Sequence, residues 1–232
     1  MADRPGPKVY SIAAHRGFAD ALVAGLIPRY AEPDLGLARL TLLLPSRRAV
    51  RTVTEAFVRL SQGGLLLPRM AVVGELDLDE ALGPLLDPLY AAGDILPAAN
   101  PLRRWFRLSE FLRLSASSPF GSDAALLRRA FDLGQTLDRL LAEGIDPDLL
   151  LAEPHLGLLG DQASHWREAT REFLLVYKRW QMELEQRGEQ DAPSRRNALF
   201  AFAAQRWAAV PPPHAIVAAG VTNACWQARL PI

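Results

Sequence analysis

The sequence predicts an α/β protein in which a partial parallel sheet is interrupted by a large helical insertion. Between Lys8 and Leu76, short apolar runs alternate with helical patterns, as in strands joined by crossover helices. Further along, apolar residues recur at intervals of three and four, which is typical of helices. The apolar run His214–Thr222 follows three prolines and needs a sheet to join. We therefore expect an α/β domain formed by residues 1–81 and 211–232, and a helical insertion formed by residues 82–210.

The α/β part shows three strand patterns separated by two helical ones. Parallel strands are buried on both faces and therefore read as unbroken apolar runs. Parallel neighbours also need crossover connections, so the order strand, helix, strand predicts a parallel sheet. The predicted elements are a strand Lys8–Ala14, a helix Phe18–Tyr30, a strand Arg39–Leu44, a helix Ser46–Leu60 and a strand Ala71–Leu76.

Four longer helices are predicted after these elements. Pro101 can open the first of them, because a first turn does not use the N–H that proline lacks. Gly144 and Gly188 suit helix ends, where the chain commonly turns into the left-handed region. The predicted helices are Leu102–Leu114, Asp123–Glu143, Ser164–Arg187 and Arg195–Val210. The strand His214–Thr222 is then expected to join the sheet of the first region.

Composition excludes several functional classes. Lys plus Arg and Asp plus Glu are 26 each, so the formal net charge is zero and the basic footprint of an autonomous DNA-binding domain is missing. The single cysteine, Cys225, excludes a disulfide framework and a cysteine-ligated metal centre within this chain. The polar start lacks the apolar segment of a signal peptide, and no apolar run is long enough to span a membrane. These features predict a cytoplasmic protein without a membrane partner.

The first strand–turn–helix lies where a phosphate loop would sit in a nucleotide-binding domain. A phosphate loop needs several glycines and a Lys-Ser/Thr pair. The segment Ser11–Phe18 has one glycine and no lysine, so we expect neither ATP hydrolysis nor a bound cofactor, and this argues against a stand-alone nucleotide-binding enzyme. Arg16 could meet an anion at the positive end of the following helix, or it could be a plain loop arginine in solvent.

The second strand–turn–helix places two cations in a first helical turn. Ser46 suits the N-cap position, so Arg47 and Arg48 follow directly at the positive end of the helix dipole. Each exposed cation there costs about 0.3–1 kcal/mol, which suggests a compensating anion. A DNA phosphate would satisfy the backbone N–H groups and the arginines together. The alternative is a pair of solvated arginines that tolerate this small cost.

Other chemistry-bearing residues have ordinary structural interpretations. The aromatic residues of one predicted helix recur at helical spacing and are more typical of a core than of a base-stacking platform. The acidic run lacks the geometry of a metal loop and suits a solvated helix start. The histidines are not in ligand spacing, and no catalytic or metal site is expected. The aromatic residues are Trp166, Phe173, Tyr177 and Trp180. The acidic run is Glu75, Asp77, Asp79 and Glu80, and the histidines are His15, His155, His165 and His214.

Four segments, in this order and spacing, resemble the amino-terminal portion of the AddB family of double-strand-break repair proteins. They are Val9–Ile12, Leu42–Ala49, Leu65–Asp77 and the late strand Ile216–Thr222. The resemblance implies a degenerate superfamily 1 helicase-like domain that works with an AddA-like helicase subunit on DNA ends and single-stranded DNA. The family's nuclease domain, with its iron–sulfur cluster, would lie in a carboxy-terminal part that this sequence does not contain.

The resemblance also bears on the candidate site. The segment that ends at Arg51 corresponds to a helicase motif near single-stranded DNA, which implies a DNA-binding role for Ser46, Arg47, Arg48 and Arg51. Family members continue past Thr222 with a Gly/Ser-rich turn, whereas this sequence does not, so a truncated or frameshifted product is expected. Two hypotheses follow: a DNA-binding fragment of a helicase–nuclease subunit, or a helical protein-interaction module with no DNA contact.

Overall fold

A computed structural model describes residues 8–30, 35–61, 63–73, 93–115, 121–151 and 163–221. Within these residues the protein is a mostly helical α/β structure with seven α-helices and one three-stranded parallel sheet. In chain order the elements are α1 Phe18–Tyr30, α2 Gly36–Arg39, β1 Thr41–Leu44, α3 Arg47–Leu60, β2 Arg69–Val72, α4 Pro101–Ser115, α5 Asp123–Ala142, a 3₁₀-helix Pro147–Leu151, α6 Ala163–Arg187, α7 Ala192–Ala209 and β3 Ile216–Ala218.

The sheet has the order β2-β1-β3, and both outer strands run parallel to β1. Thr41 is opposite both Arg69 and Ile216, which sets one register across the three strands. All four residues of β1 are buried, as expected for a central parallel strand. The prediction that the late strand joins the sheet of the first region is therefore confirmed.

The predicted strand Lys8–Ala14 is wrong. Among the described residues this segment forms no strand, and β1 has β2 on one side and β3 on the other. Val9 is 88% exposed, so its apolar side chain stabilises no core here. Tyr10 instead lies beneath the guanidinium of Arg29, 4.9 Å from the ring centre, in a cation–π contact with the last turn of α1. The apolar run predicts a strand from local pattern alone, but in the structure this run does not pair with the sheet.

The other three predicted strands are present, but their boundaries differ from expectation. The strand predicted from Arg39 begins at Thr41, because Gly36–Arg39 forms the short helix α2. The strand predicted from Ala71 begins two residues earlier as β2, and its expected end beyond Val73 lies outside the described residues. The predicted strand over His214–Thr222 is shorter than expected, since pairing is limited to β3, and Thr222 lies outside the described residues.

The predicted helices are all present, within a few residues at their ends. The side-chain oxygen of Asn100 accepts hydrogen bonds from the N–H groups of Leu102 and Arg103, which caps α4. Gly144 and Gly188 have φ values of 68° and 63° just after α5 and α6, as helix-ending glycines do. The last helix starts three residues before its predicted start at Arg195.

The chain divides into two compact units. We call Met1–Leu89 with Ala201–Ile232 the α/β unit, and Tyr90–Phe200 the helical unit. Each has its own apolar cluster. In the α/β unit, alternate residues of β1 pack against α1 and α3, since side chains of a strand alternate between faces. That cluster is Val23, Leu26, Leu37, Leu40, Leu42, Leu44, Val53, Ala56, Phe57 and Ala219.

The helical unit buries residues of α4, α5 and α6 around Trp180. The indole ring of Trp180 is fully buried, and its Nε1 donates a hydrogen bond of 3.0 Å to Asp191. The Trp105 indole Nε1 likewise donates to the backbone oxygen of Leu127, at 2.8 Å. The cluster is Ala99, Leu108, Phe111, Leu112, Leu126, Ala130, Leu133, Leu137, Val176, Trp180 and Leu184. No helix in the described part of the chain combines the length and the apolar character needed to cross a membrane.

Candidate nucleic-acid interface

The first turn of α3 lies at the carboxyl edge of the sheet, directly after the central strand. Ser46 has extended backbone angles, φ −160° and ψ 159°, and its Oγ accepts a hydrogen bond of 3.2 Å from the N–H of Ala49. Its carbonyl oxygen accepts the helical bond from Val50. The predicted N-cap is therefore confirmed. In open α/β sheets, ligands bind outside the carboxyl ends of strands, which is where this turn is placed.

Three arginines extend from the start of α3 into solvent. Arg47 and Arg48 occupy the first two helical positions and are both exposed. Arg51, one turn later, has a side chain that is 84% exposed and forms an ion pair with Glu55 at 3.2 Å. An exposed pair of this kind contributes little and can open to admit another anion. The predicted residues of α3 therefore form one exposed group.

The electrostatics of this turn favour an anion. The first turn of α3 contains no acidic residue, so no side chain of that turn complements the positive end of the helix dipole. The Ser46 hydroxyl satisfies one backbone N–H, and Arg47 and Arg48 add two exposed cationic residues at the positive end of the dipole. A phosphate group fits this combination of backbone donors and guanidinium groups.

Arg16 lies in a different loop. It is exposed in the turn before α1, where its backbone N–H donates to the carbonyl oxygen of Ala13 at 3.0 Å. In the next turn of chain, Asp20 forms an ion pair of 2.5 Å with Arg59, at the end of α3 opposite to Arg47. Gly220, with φ of 66°, packs against the ring of Phe18 at the start of α1. The site residues thus comprise one group on α3 and one separate arginine.

The aromatic residues of α6 belong mainly to the core of the helical unit. Trp180 is fully buried, and Phe173 and Tyr177 pack against the same cluster. Burial, together with the nearby carboxylates of Asp146, Asp191 and Asp148, raises the pKa of Tyr177. Trp166 differs, since 42% of it is exposed. Three of the four aromatic residues therefore lie in the core of the helical unit or pack against it.

The structure describes only some of the residues that were considered as metal ligands. Across the described ranges, no group of three or more His, Cys, Asp or Glu residues could hold a metal ion. The acidic run Glu75, Asp77, Asp79 and Glu80 lies outside those ranges, as does His155.

Sequence reasoning missed a second charged site, in the helical unit. Arg107 on α4 donates to Glu183 on α6 at 2.6 Å, and Arg187 donates to the other oxygen of Glu183 at 3.1 Å. Burial alone would raise the pKa of Glu183, but these two hydrogen bonds and the charges behind them lower it. Arg179 completes the cluster. No local signal marked it, because α4 and α6 are far apart in sequence.

A second, largely buried ion network lies in the same helical unit. Arg104 contacts Asp138 at 2.7 Å and Asp191 at 2.9 Å, which joins α4, α5 and the segment before α7. Burial raises the pKa of Asp138, although the nearby Arg104 opposes this shift. Asp191 also accepts hydrogen bonds from Trp180 and Gln181, one at each carboxylate oxygen. This network joins three segments of the helical unit.

Comparison of the chain with protein-family models, with curated proteins and with solved structures yields no match.

Proposed function

We propose that this chain belongs to an AddB-like subunit of a helicase–nuclease that acts in double-strand-break repair. Its own role in this proposal is to hold backbone phosphates of single-stranded DNA at the start of α3. The observation that carries the proposal is the placement of Ser46, Arg47 and Arg48 at the carboxyl edge of the central strand, in one exposed helical turn. The order and spacing of the AddB-like segments support the family assignment.

The mechanism would be positional. A phosphate oxygen would accept hydrogen bonds from backbone N–H groups of the first turn, while Arg47 and Arg48 would neutralise its charge. Arg51 would exchange its exposed contact with Glu55 for the next phosphate along the strand. Such contacts fix the register of the strand and carry no sequence information. ATP hydrolysis would come from an AddA-like partner subunit.

The DNA-binding role is tested by fluorescence anisotropy of the full chain with labelled oligo-dT across a salt series. Each neutralised phosphate of a single strand contributes about 0.7 to the slope of log K against log salt. The double variant Arg47→Ala/Arg48→Ala should bind more weakly and lose about 1.4 of that slope. The matched control is Arg128→Ala/Arg139→Ala, which removes two exposed arginines of α5 and should leave the slope unchanged.

Two outcomes would contradict the DNA-binding role. One is equal weakening by both double variants, which would indicate a general charge effect. The other is no binding by a chain whose circular dichroism shows the expected helices. The partner assignment is tested separately, by gel filtration of the chain mixed with an AddA-like subunit. A folded chain that does not co-elute with that subunit would overturn the family assignment.

A further inference from the structure

The groove between α4 and α6 of the helical unit is a candidate docking site that does not depend on the DNA-binding proposal. It has a volume of about 490 Å³. Arg107 and Phe111 of α4 form one wall, and Arg179, Met182 and Arg187 of α6 form the other, with Glu183 between them. We call this the α4–α6 groove.

The α4–α6 groove has an excess of positive charge. Its three guanidinium groups face a single carboxylate of the lining, Glu183, whose two oxygens already bind Arg107 and Arg187. In the part of the chain that the structure describes, Arg179 has no carboxylate partner and contacts only the hydroxyl of Ser115, at 3.0 Å. Glu110 at the rim binds Arg107 and reduces the excess without removing it. The groove therefore favours an anionic ligand.

The arginines of the groove are held in place before any ligand binds. The guanidinium of Arg107 lies 4.7 Å from the ring centre of Phe111 and is fixed by Glu183. Arg179 is fixed by its bond to Ser115. Side chains that are already ordered lose less conformational entropy on binding, so such a surface binds more tightly than loose arginines of equal charge.

Apolar side chains alternate with the cations along the exposed stripe of α6. Arg171, Leu175, Arg179 and Met182 are spaced by four, four and three residues, so they share one face of the helix. Leu175 is 45% exposed and Met182 is 53% exposed. Arg171 is exposed and forms no ion pair within the described residues. Exposed methionine, leucine and arginine in one stripe have the composition of a protein interface rather than of a solvated face.

A nucleic acid suits this surface less well than a protein. Single-stranded nucleic acid uses exposed aromatic faces for its bases. Phe111, the aromatic residue of the groove, is only 8% exposed, and the Arg107 guanidinium lies over its ring. Aliphatic side chains at Leu175 and Met182 match apolar side chains of a helix instead.

We propose that the α4–α6 groove and the adjoining stripe of α6 dock an acidic amphipathic helix of a partner protein. Carboxylates of the partner face Arg171 and Arg179, and its apolar residues pack against Leu175 and Met182. The stripe from Arg171 to Met182 covers about three helical turns, which matches the anchor spacing of a helix laid in a groove.

The test uses a fluorescein-labelled synthetic helix of about 20 residues, with leucines at helical spacing and glutamates between them. Its affinity for the full chain is measured by anisotropy, beside a second peptide in which every Glu is Gln. The variants are Arg179→Glu and, for the apolar half of the surface, Met182→Ser. Matched controls in the same unit are Arg128→Glu and Leu102→Ser, both at exposed positions. Circular dichroism verifies that each variant is folded.

We expect Arg179→Glu to weaken binding of the acidic peptide about tenfold or more. Met182→Ser should weaken binding of the same peptide by a smaller factor. The controls should bind as the unaltered chain does, and the Gln peptide should bind weakly. An equal loss of affinity in Arg128→Glu would overturn the proposal, because it would indicate general charge attraction. Oligo-dT that competes for the site more strongly than the peptide would also overturn it, because it would indicate a nucleic-acid ligand. The variant Arg47→Ala/Arg48→Ala should retain full peptide binding, which separates this result from the DNA-binding test.

Discussion

The two units stabilise their cores in different ways. In the α/β unit the apolar cluster is formed by alternate residues of β1 with α1 and α3, and the ladder of the sheet sets the register. Among the described residues, the buried charged side chains are all in the helical unit, at Glu183, Asp191 and Arg196. A sheet specifies its neighbouring strands by backbone hydrogen bonds. Helices lack this constraint, and here ion pairs between helices add it.

The largest expected effect is on the apolar core of the α/β unit. Phe57 is fully buried in the cluster of β1, α1 and α3, so Phe57→Ala removes its contacts and leaves a cavity. We expect a loss of about 4 kcal/mol in the free energy of unfolding of this unit. Hydrogen exchange by mass spectrometry should show faster exchange in α1 and α3. Unchanged exchange in those helices would contradict the described packing.

The next effect concerns the ion network of the helical unit. Among the described residues, Asp191→Ala leaves Arg104 with Asp138 as its remaining carboxylate and removes the acceptor of the buried Trp180 N–H. We expect a loss of about 3 kcal/mol, measured by urea unfolding and by exchange in α4 and α6. Asp191→Asn keeps an acceptor oxygen and should cost less. If the alanine variant loses no more than the asparagine variant, the contrast between the two cores is wrong.

The smallest expected effect is on the pH dependence of the free energy of unfolding. Glu183 and Asp138 should change the slope of this dependence in opposite directions. The pKa of Glu183 is lowered from 4.5, so its contribution to stability is present above pH 4.5 and is lost as the pH falls through its folded value. The pKa of Asp138 is raised from 3.8, so its contribution is present at low pH and is lost as the pH rises through its folded value.

Removing each carboxylate should therefore change the slope of stability against pH in the acid range. Glu183→Gln should flatten the rise of stability with pH, and Asp138→Asn should steepen it. Urea unfolding at a series of pH values measures both slopes. A change of the same sign in both variants would show that one of the two environments is misassigned.

Much of this protein follows from its sequence alone, because helix signals are local. Within the described residues, the 3.6-residue periodicity predicts each long helix, Ser46 is predictable as an N-cap, and Gly144 and Gly188 are predictable as helix ends. These features depend on residues within one or two turns of each other. The position of Arg47 and Arg48 in the first turn of α3 is predictable for the same reason.

Tertiary structure decided what depends on distant residues. The apolar segment Lys8–Ala14 has the pattern of a strand, yet β1 pairs with β2 and β3 instead. The paired residues of β1 and β3, such as Thr41 and Ile216, are 175 positions apart in sequence. The α4–α6 groove brings Arg107 to Glu183, whose positions no periodicity relates. A strand forms only when a neighbouring strand pairs with it, and a charge cluster forms only when distant segments bring its residues together. Sequence patterns report local preference, and the free energy of pairing selects among segments with similar preference.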